Sequence, residues 1–159
     1  MSTTMNDEQT FKNNFIKLIT SEDQAIGIYQ AEIFWKRRPK DVFQTILKDE
    51  INHEEQLINF MYLRGWDFTL LQKSIMTFNR YSGWLIGTLL SILPRHLCFF
   101  FHYMAEIQAA NGYNNLRINI ENTGDQQWIN SHNIKVEIQK ITDSEKLHSE
   151  IFKALLHRN

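Results

Sequence analysis

Four stretches of this chain repeat apolar residues at alternating steps of three and four, and all four stripes are interrupted by acid in a related way. The first (Phe11, Phe15, Leu18, Glu22, Ala25, Tyr29, Ile33) and the third (Phe99, His102, Glu106, Ala109, Tyr113, Leu116, Ile120) carry a lone glutamate near the middle. The second (Ile46, Glu50, His53, Leu57, Phe60) and the fourth (Ile134, Ile138, Ile141, Glu145, His148, Phe152, Leu155) carry Glu-x-x-His. The spacing predicts helices with one face against a bundle core. Residues at i and i+3 share a helix face, so each Glu-x-x-His pair can aim one oxygen and one nitrogen at a common point.

The chain is therefore expected to be all-α: a four-helix bundle of two antiparallel hairpins. The first hairpin turns at Lys36-Arg37-Arg38-Pro39, where bases suit a helix C-terminus and proline suits the next helix start. The second turns at Thr123-Gly124-Asp125, and the helix before the crossover ends near Gly65. In an antiparallel pair, residues equidistant from the turn lie side by side. The midpoint between Glu22 and the Glu50/His53 pair falls on the first turn, and that between Glu106 and the Glu145/His148 pair falls just past the second. All six side chains are thus expected at one height, roughly 22–30 Å from the turns at about 1.5 Å per residue.

Four carboxylates in an apolar seam face desolvation of several kcal/mol per ion, and like charges so placed drive one another to retain protons. No lysine or arginine lies on the stripes. Two divalent cations would balance four glutamates, and one Glu from each of two helices plus Glu-x-x-His from each of two others is the ligand set of ferritin-like di-iron and di-manganese carboxylate proteins. Mixed oxygen and imidazole donors favour iron or manganese over calcium, and the single cysteine, Cys98, leaves no pair for zinc–sulfur or iron–sulfur chemistry. Among the other polar residues, His102 reads as a core or supporting histidine rather than a seventh ligand, and Glu32, Glu54 and Glu55 read as solvated. Tyr29 and Tyr113 each stand two turns beyond a lone glutamate, within reach of the site or as core aromatics. Asn114 and Asn115 read as supporting partners or polar flank.

At 159 residues the chain is one domain's worth (1–159), able to bury a core without disulfides. With 17 basic and 18 acidic residues and no basic run beyond Arg37-Arg38, nucleic acid is not an expected partner. The first fourteen residues are polar and mixed, so no targeting segment is read there, and residues 1–9 are expected to be unstructured. A reducing, cytoplasmic setting is the simplest. Tyr81 to Pro94 is the longest uncharged run, at fourteen residues, against the roughly 20 needed to cross a bilayer. It predicts a short crossover helix between Ser82 and Leu93, with residues 82–101 as a candidate membrane-facing surface.

Several segments together resemble the demethoxyubiquinone hydroxylases of ubiquinone biosynthesis: Ser21-Glu22 to Gln30, Asp49-Glu50-Ile51-Asn52-His53, Gly83 to Leu90 with Gly87-Thr88, Glu106 to Tyr113-Asn114-Asn115, and Asp143-Ser144-Glu145-Lys146-Leu147-His148. The likeness runs from about residue 15 to 157. It implies a metal set of Glu22, Glu50, His53, Glu106, Glu145 and His148, with Tyr113 as the tyrosine beside the metals. It further implies a ferritin-like bundle held peripherally at the inner face of the cell membrane, using two irons, dioxygen and an external reductant such as NADH to hydroxylate a polyprenyl benzoquinone. Implied partners are the quinone, the membrane surface, and a second copy of the chain or a lipid-binding accessory protein. The chain departs from the family pattern at Asn111-Gly112, where His-His is usual, at Thr20-Ser21 before the first glutamate, and in a bulkier crossover with Trp84 and Pro94. The alternatives are a ferritin-like oxidase or hydroxylase of another substrate, iron storage or scavenging, and a helical module with a structural metal.

Overall fold

The computed structural model of the protein describes residues 5–37, 39–122 and 126–158. They form six helices, α1 (Met5–Phe34), α2 (Lys40–Leu63), α3 (Leu70–Ile92), α4 (Arg95–Asn122), α5 (Gln126–Ser131) and α6 (Ile134–Leu156), with no strand among the described residues. The all-α expectation holds, and the four stripes are the inner faces of α1, α2, α4 and α6.

Local chemistry sets the boundaries. α1 ends with Lys36 in the left-handed region (φ 58°), the Arg37 amide bonded back to the Glu32 carbonyl and the Lys36 amide to that of Ile33. α2 ends in the same way around Gly65 (φ 76°), with the Trp66 amide on the Met61 carbonyl. These paired bonds satisfy carbonyls that a helix end otherwise leaves open. Pro39 is the N-cap of α2, and Pro94 stands between α3 and α4, where proline cannot continue the preceding helix.

Three expectations need correction. The crossover is not a short helix at 82–93; α3 has 23 residues and begins at Leu70. Its start is fixed by Thr69, whose hydroxyl accepts from the Gln72 amide while the Gln72 side chain accepts from the Thr69 amide, a capping box. Of residues 1–9, expected to be unstructured, 5–9 are helical and 1–4 lie outside the described residues. The second hairpin is closed by more than a turn: the short α5 precedes α6, while Thr123-Gly124-Asp125 lies outside the described residues.

α1, α2, α6 and α4 form a ring in which each helix runs antiparallel to its neighbours. Contacts show the sense: Tyr113, Glu106 and His102 meet Glu22, Tyr29 and Glu32 in turn. α3 lies outside the ring, parallel to α1 and very close to it. A Cβ on Gly83 would overlap the Gln24 carbonyl, one on Gly87 the Ile28 carbonyl, and one on Gly27 the Arg80 carbonyl. Arg80 adds a clamp, with Nε 3.0 Å from Asp23 Oδ1 and an Nη 2.7 and 2.8 Å from the two Glu54 oxygens.

The core falls into two apolar clusters. One gathers Phe15, Ile19, Leu57, Met61, Leu116, Ile120 and Ile138. The other gathers Ile28, Phe43, Ile46, Phe99 and Phe152. In every ring helix the six predicted ligands lie between these clusters, so they form a polar belt across the middle of a dry bundle. No helix among the described residues is long and apolar enough to cross a membrane.

Candidate metal centre

All six predicted ligands are buried, none more than 5% exposed. They fall into two groups whose donor atoms lie within 4.8 Å of one another: Glu22, Glu50, His53 and Glu145, and Glu50, Glu106, Glu145 and His148. Glu50 and Glu145 belong to both. Two neighbouring ion positions sharing two carboxylates is what one Glu per α1 and α4, plus Glu-x-x-His per α2 and α6, produces when the helices converge at one height.

The spacing suits coordination. His148 Nδ1 stands 3.3 Å from Glu50 Oε1, 3.5 Å from Glu106 Oε2 and 3.9 Å from Glu145 Oε2. Donors around one ion with bonds of about 2.0–2.2 Å stand roughly 3.0–3.6 Å apart. His53 Nδ1 lies 2.8 Å from Glu145 Oε1 on the other side. Six buried atoms of this set make no hydrogen bond: Glu22 Oε2, Glu50 Oε1, His53 Nδ1, both Glu145 oxygens and His148 Nδ1. Buried polar atoms are almost always paired, and unpaired donors pointing inward from four helices fit a pair of divalent cations with oxygen and nitrogen preference.

Groups around the ligands orient them. Tyr113 donates its hydroxyl proton to Glu22, and Tyr29 donates to Glu106. His148 turns Nε2 to Asp49 Oδ2 at 3.2 Å, leaving Nδ1 for the centre, the carboxylate–imidazole support common at metal sites. Asp49 was not singled out from the sequence, although it immediately precedes Glu50. Asn114 accepts from Arg117 and Asn115 is exposed, so both are flank.

Electrostatics show the strain of this belt. Burial, reinforced by the charge of Glu50, raises Glu22 well above the usual carboxylate range. Burial and the charges of Glu106 and Asp49 push Glu50 up to about 8, and burial with Glu50, Glu22 and Glu106 raises Glu145. Burial acts upward on Glu106 too, yet the proximity of His148 and Glu145 and the hydroxyl donated by Tyr29 hold it low. His53 falls to about 4 through burial and the proximity of His148. His148 goes up, because Glu106 and Asp49 outweigh its own burial.

A carboxyl raised in the folded state stabilises below its unfolded value and loses that contribution as pH rises through the folded one. Metal-free protein should therefore lose stability between pH 6.5 and 8, by up to about 2 kcal/mol from Glu50 alone at roughly 1.36 kcal/mol per unit. Glu22, Glu145 and His148 act in the same direction. Below pH 6.5 the depressed His53 works in the opposite sense. Urea unfolding in chelator at the two pH values checks this, and metal loading should reverse the trend because ions displace those protons.

Two polar residues read as solvated are not. Glu54 is buried under Arg80, and Glu32 is fully buried, held by His102 Nε2 at 2.7 Å and the Cys98 thiol at 3.0 Å. Glu55 is exposed as expected. His102 is outside both ligand groups, also as expected, and its ring lies near-parallel to those of Tyr29 and Phe152 at 4.9 and 4.6 Å, the two being 6.4 Å from each other.

A cleft of about 770 Å³ opens between α1 and α4 and reaches Glu22, Glu50, Glu106 and Glu145 at its base. Ile28, Phe100, Phe101 and Met104 give it apolar surface, Lys17, Ser21, Gln24, Asn79 and Gln108 give it polar surface, and Gly112 lies along it opposite Leu18. No family model, curated protein or solved structure matches the chain.

Proposed function

We propose that the protein is a ferritin-like di-iron monooxygenase that hydroxylates a membrane-borne polyprenyl benzoquinone of the demethoxyubiquinone type. The observation that carries this is the pair of ligand groups sharing Glu50 and Glu145 within reach of a cleft that is partly lined by aromatic and aliphatic side chains. Glu22, Glu50, His53 and Glu145 would hold one ion, and Glu50, Glu106, Glu145 and His148 the other; manganese is the other metal that this donor set suits. Two irons, when bound and supplied with electrons by an external donor such as NADH, provide the reduction of dioxygen and the transfer of one oxygen atom to an electron-rich ring carbon.

The chain's own residues set the conditions for that chemistry. Burial raises Tyr113 and Tyr29 well above the normal phenol range, so both hydroxyls keep their protons and fix the orientation of Glu22 and Glu106. Phe100, Phe101 and Met104, each partly exposed, offer apolar surface at the approach to an isoprenoid chain.

A peripheral membrane position fits the outer face of α3, where Leu71, Phe78, Leu85, Leu89 and Ile92 are exposed, continuing onto Leu97 and Phe100 of α4. In liposome flotation the wild type is expected to float, and Leu85→Glu with Leu89→Glu to remain in the dense fraction; no flotation of the wild type would remove the membrane from the proposal. For the reaction, cells lacking the protein should accumulate a quinone precursor one oxygen short of product. The wild-type copy should clear it and a Glu145→Ala copy should not, as read by mass spectrometry of extracted lipids. Absence of accumulation would overturn the substrate.

A further inference from the structure

We propose that Glu32, Cys98 and His102 form a second, mononuclear site for a borderline-soft divalent ion of the zinc type, separate from the carboxylate-bridged pair. The three residues bring one oxygen, one sulfur and one nitrogen donor within 4.8 Å of one another. All are buried, at 0%, 0% and 2% exposure. Cys98 and His102 stand at i and i+4 on α4, one face of a helix, and Glu32 reaches them from α1, so the donors sit on rigid elements rather than loops.

The carboxylate already spans the other two donors, with one oxygen at 3.0 Å from the Cys98 sulfur and the other at 2.7 Å from His102 Nε2. Around a zinc ion, with bonds of about 2.3 Å to sulfur and 2.0–2.2 Å to nitrogen and oxygen, such atoms stand roughly 3.3–3.7 Å apart. Lengthening these two contacts by less than about an ångström therefore brings the carboxylate, sulfur and nitrogen to the separations of three corners of a tetrahedron. Binding displaces two protons: that of the thiol leaves to solvent, and that held between His102 Nε2 and Glu32 is lost from Nε2 while Nδ1 carries the proton of the neutral imidazole, so the ion meets thiolate, carboxylate and unprotonated Nε2.

Two further features suit a thiolate. Arg37 lies beside Cys98 and acts against the burial and Glu32 charge that otherwise raise the thiol. Its Nε is buried without a hydrogen-bond partner, and a donor beside a coordinated sulfur is the outer support that metal thiolates use. Packing of His102 against the near-parallel rings of Tyr29 and Phe152 fixes its ring plane, with Nε2 toward Glu32.

The paired centre contains no sulfur, so a thiolate signature reports this site alone and survives even if the di-iron assignment fails. Metal-free wild-type chain is titrated with Co²⁺ and the near-ultraviolet thiolate-to-cobalt charge-transfer band is followed; X-ray absorption of the zinc-loaded wild type gives the same answer without a variant. A band that saturates at the amplitude of one cobalt–thiolate centre per chain, with sulfur in the zinc shell, is expected. Cys98→Ser should abolish the band, and Glu32→Gln or His102→Gln should weaken the affinity it reports by about tenfold or more. No band in the wild type, or a band whose affinity ignores both Glu32→Gln and His102→Gln, overturns the site.

Discussion

Glu145→Gln is expected to cost the protein both ions of the pair and, in the same experiment, to make the metal-free fold more stable. Glu145 is shared by both donor groups and is fully buried, and neither of its oxygens is hydrogen-bonded. Losing a shared ligand should weaken both positions by at least about 100-fold, since outer-shell changes alone cost roughly 10–100-fold. His53→Ala and His148→Ala should each affect mainly one. Without metal the balance changes sign. Burial and three neighbouring glutamates force Glu145 to retain a proton, and glutamine occupies the same volume without that demand. Removing the cost of keeping that carboxyl protonated near neutral pH is worth about 1–3 kcal/mol, or roughly 2–4 °C of thermal midpoint per kcal/mol in a chain of this size. Thermal unfolding of wild type and variant in chelator, with metal titration in parallel, reads both effects. A metal-free variant less stable than wild type would show that these carboxylates do not oppose one another.

The second large effect is mechanical. In Gly83→Ala or Gly87→Ala the new methyl meets the Gln24 or Ile28 carbonyl, which are helix backbone and cannot rotate away. α3 must then move off α1, costing about 1–3 kcal/mol or more through overpacking and stretching the Arg80 clamp to Asp23 and Glu54. The double variant should cost less than the sum, because one displacement relieves both contacts. Gly112→Ala is the control: its methyl meets only the end of the Leu18 side chain at 3.1 Å, so its effect should be small. Urea unfolding midpoints decide.

The parts of the molecule legible in the sequence are those where burial and chemistry share one helix face. Glu22, Glu50, His53, Glu106, Glu145 and His148 each interrupt an apolar stripe, and matched distances from two turns were enough to place them at one height. α3 was underestimated because its apolar residues Leu71, Phe78, Leu85 and Leu89 face outward. Its inner contact with α1 is made by glycines, which leave no hydrophobic signal, and Lys73 and Arg80 break the uncharged run. Glu32 was missed for a different reason. It reads as solvated because the hairpin pairs α1 with α2, whereas its partners are Cys98 and His102 on α4. The signal was present in Cys98, His102 and Glu106 at successive steps of four, and in Glu32 three residues beyond Tyr29 on the same face.

Anaerobic ferrous iron titration of the Cys98→Ser chain, with any ion at the triad excluded, tests the paired centre most directly. Saturation at two irons per polypeptide, magnetically coupled as ions sharing Glu50 and Glu145 must be, is the predicted result. Binding that levels off well below two, or two irons with no coupling between them, would contradict it.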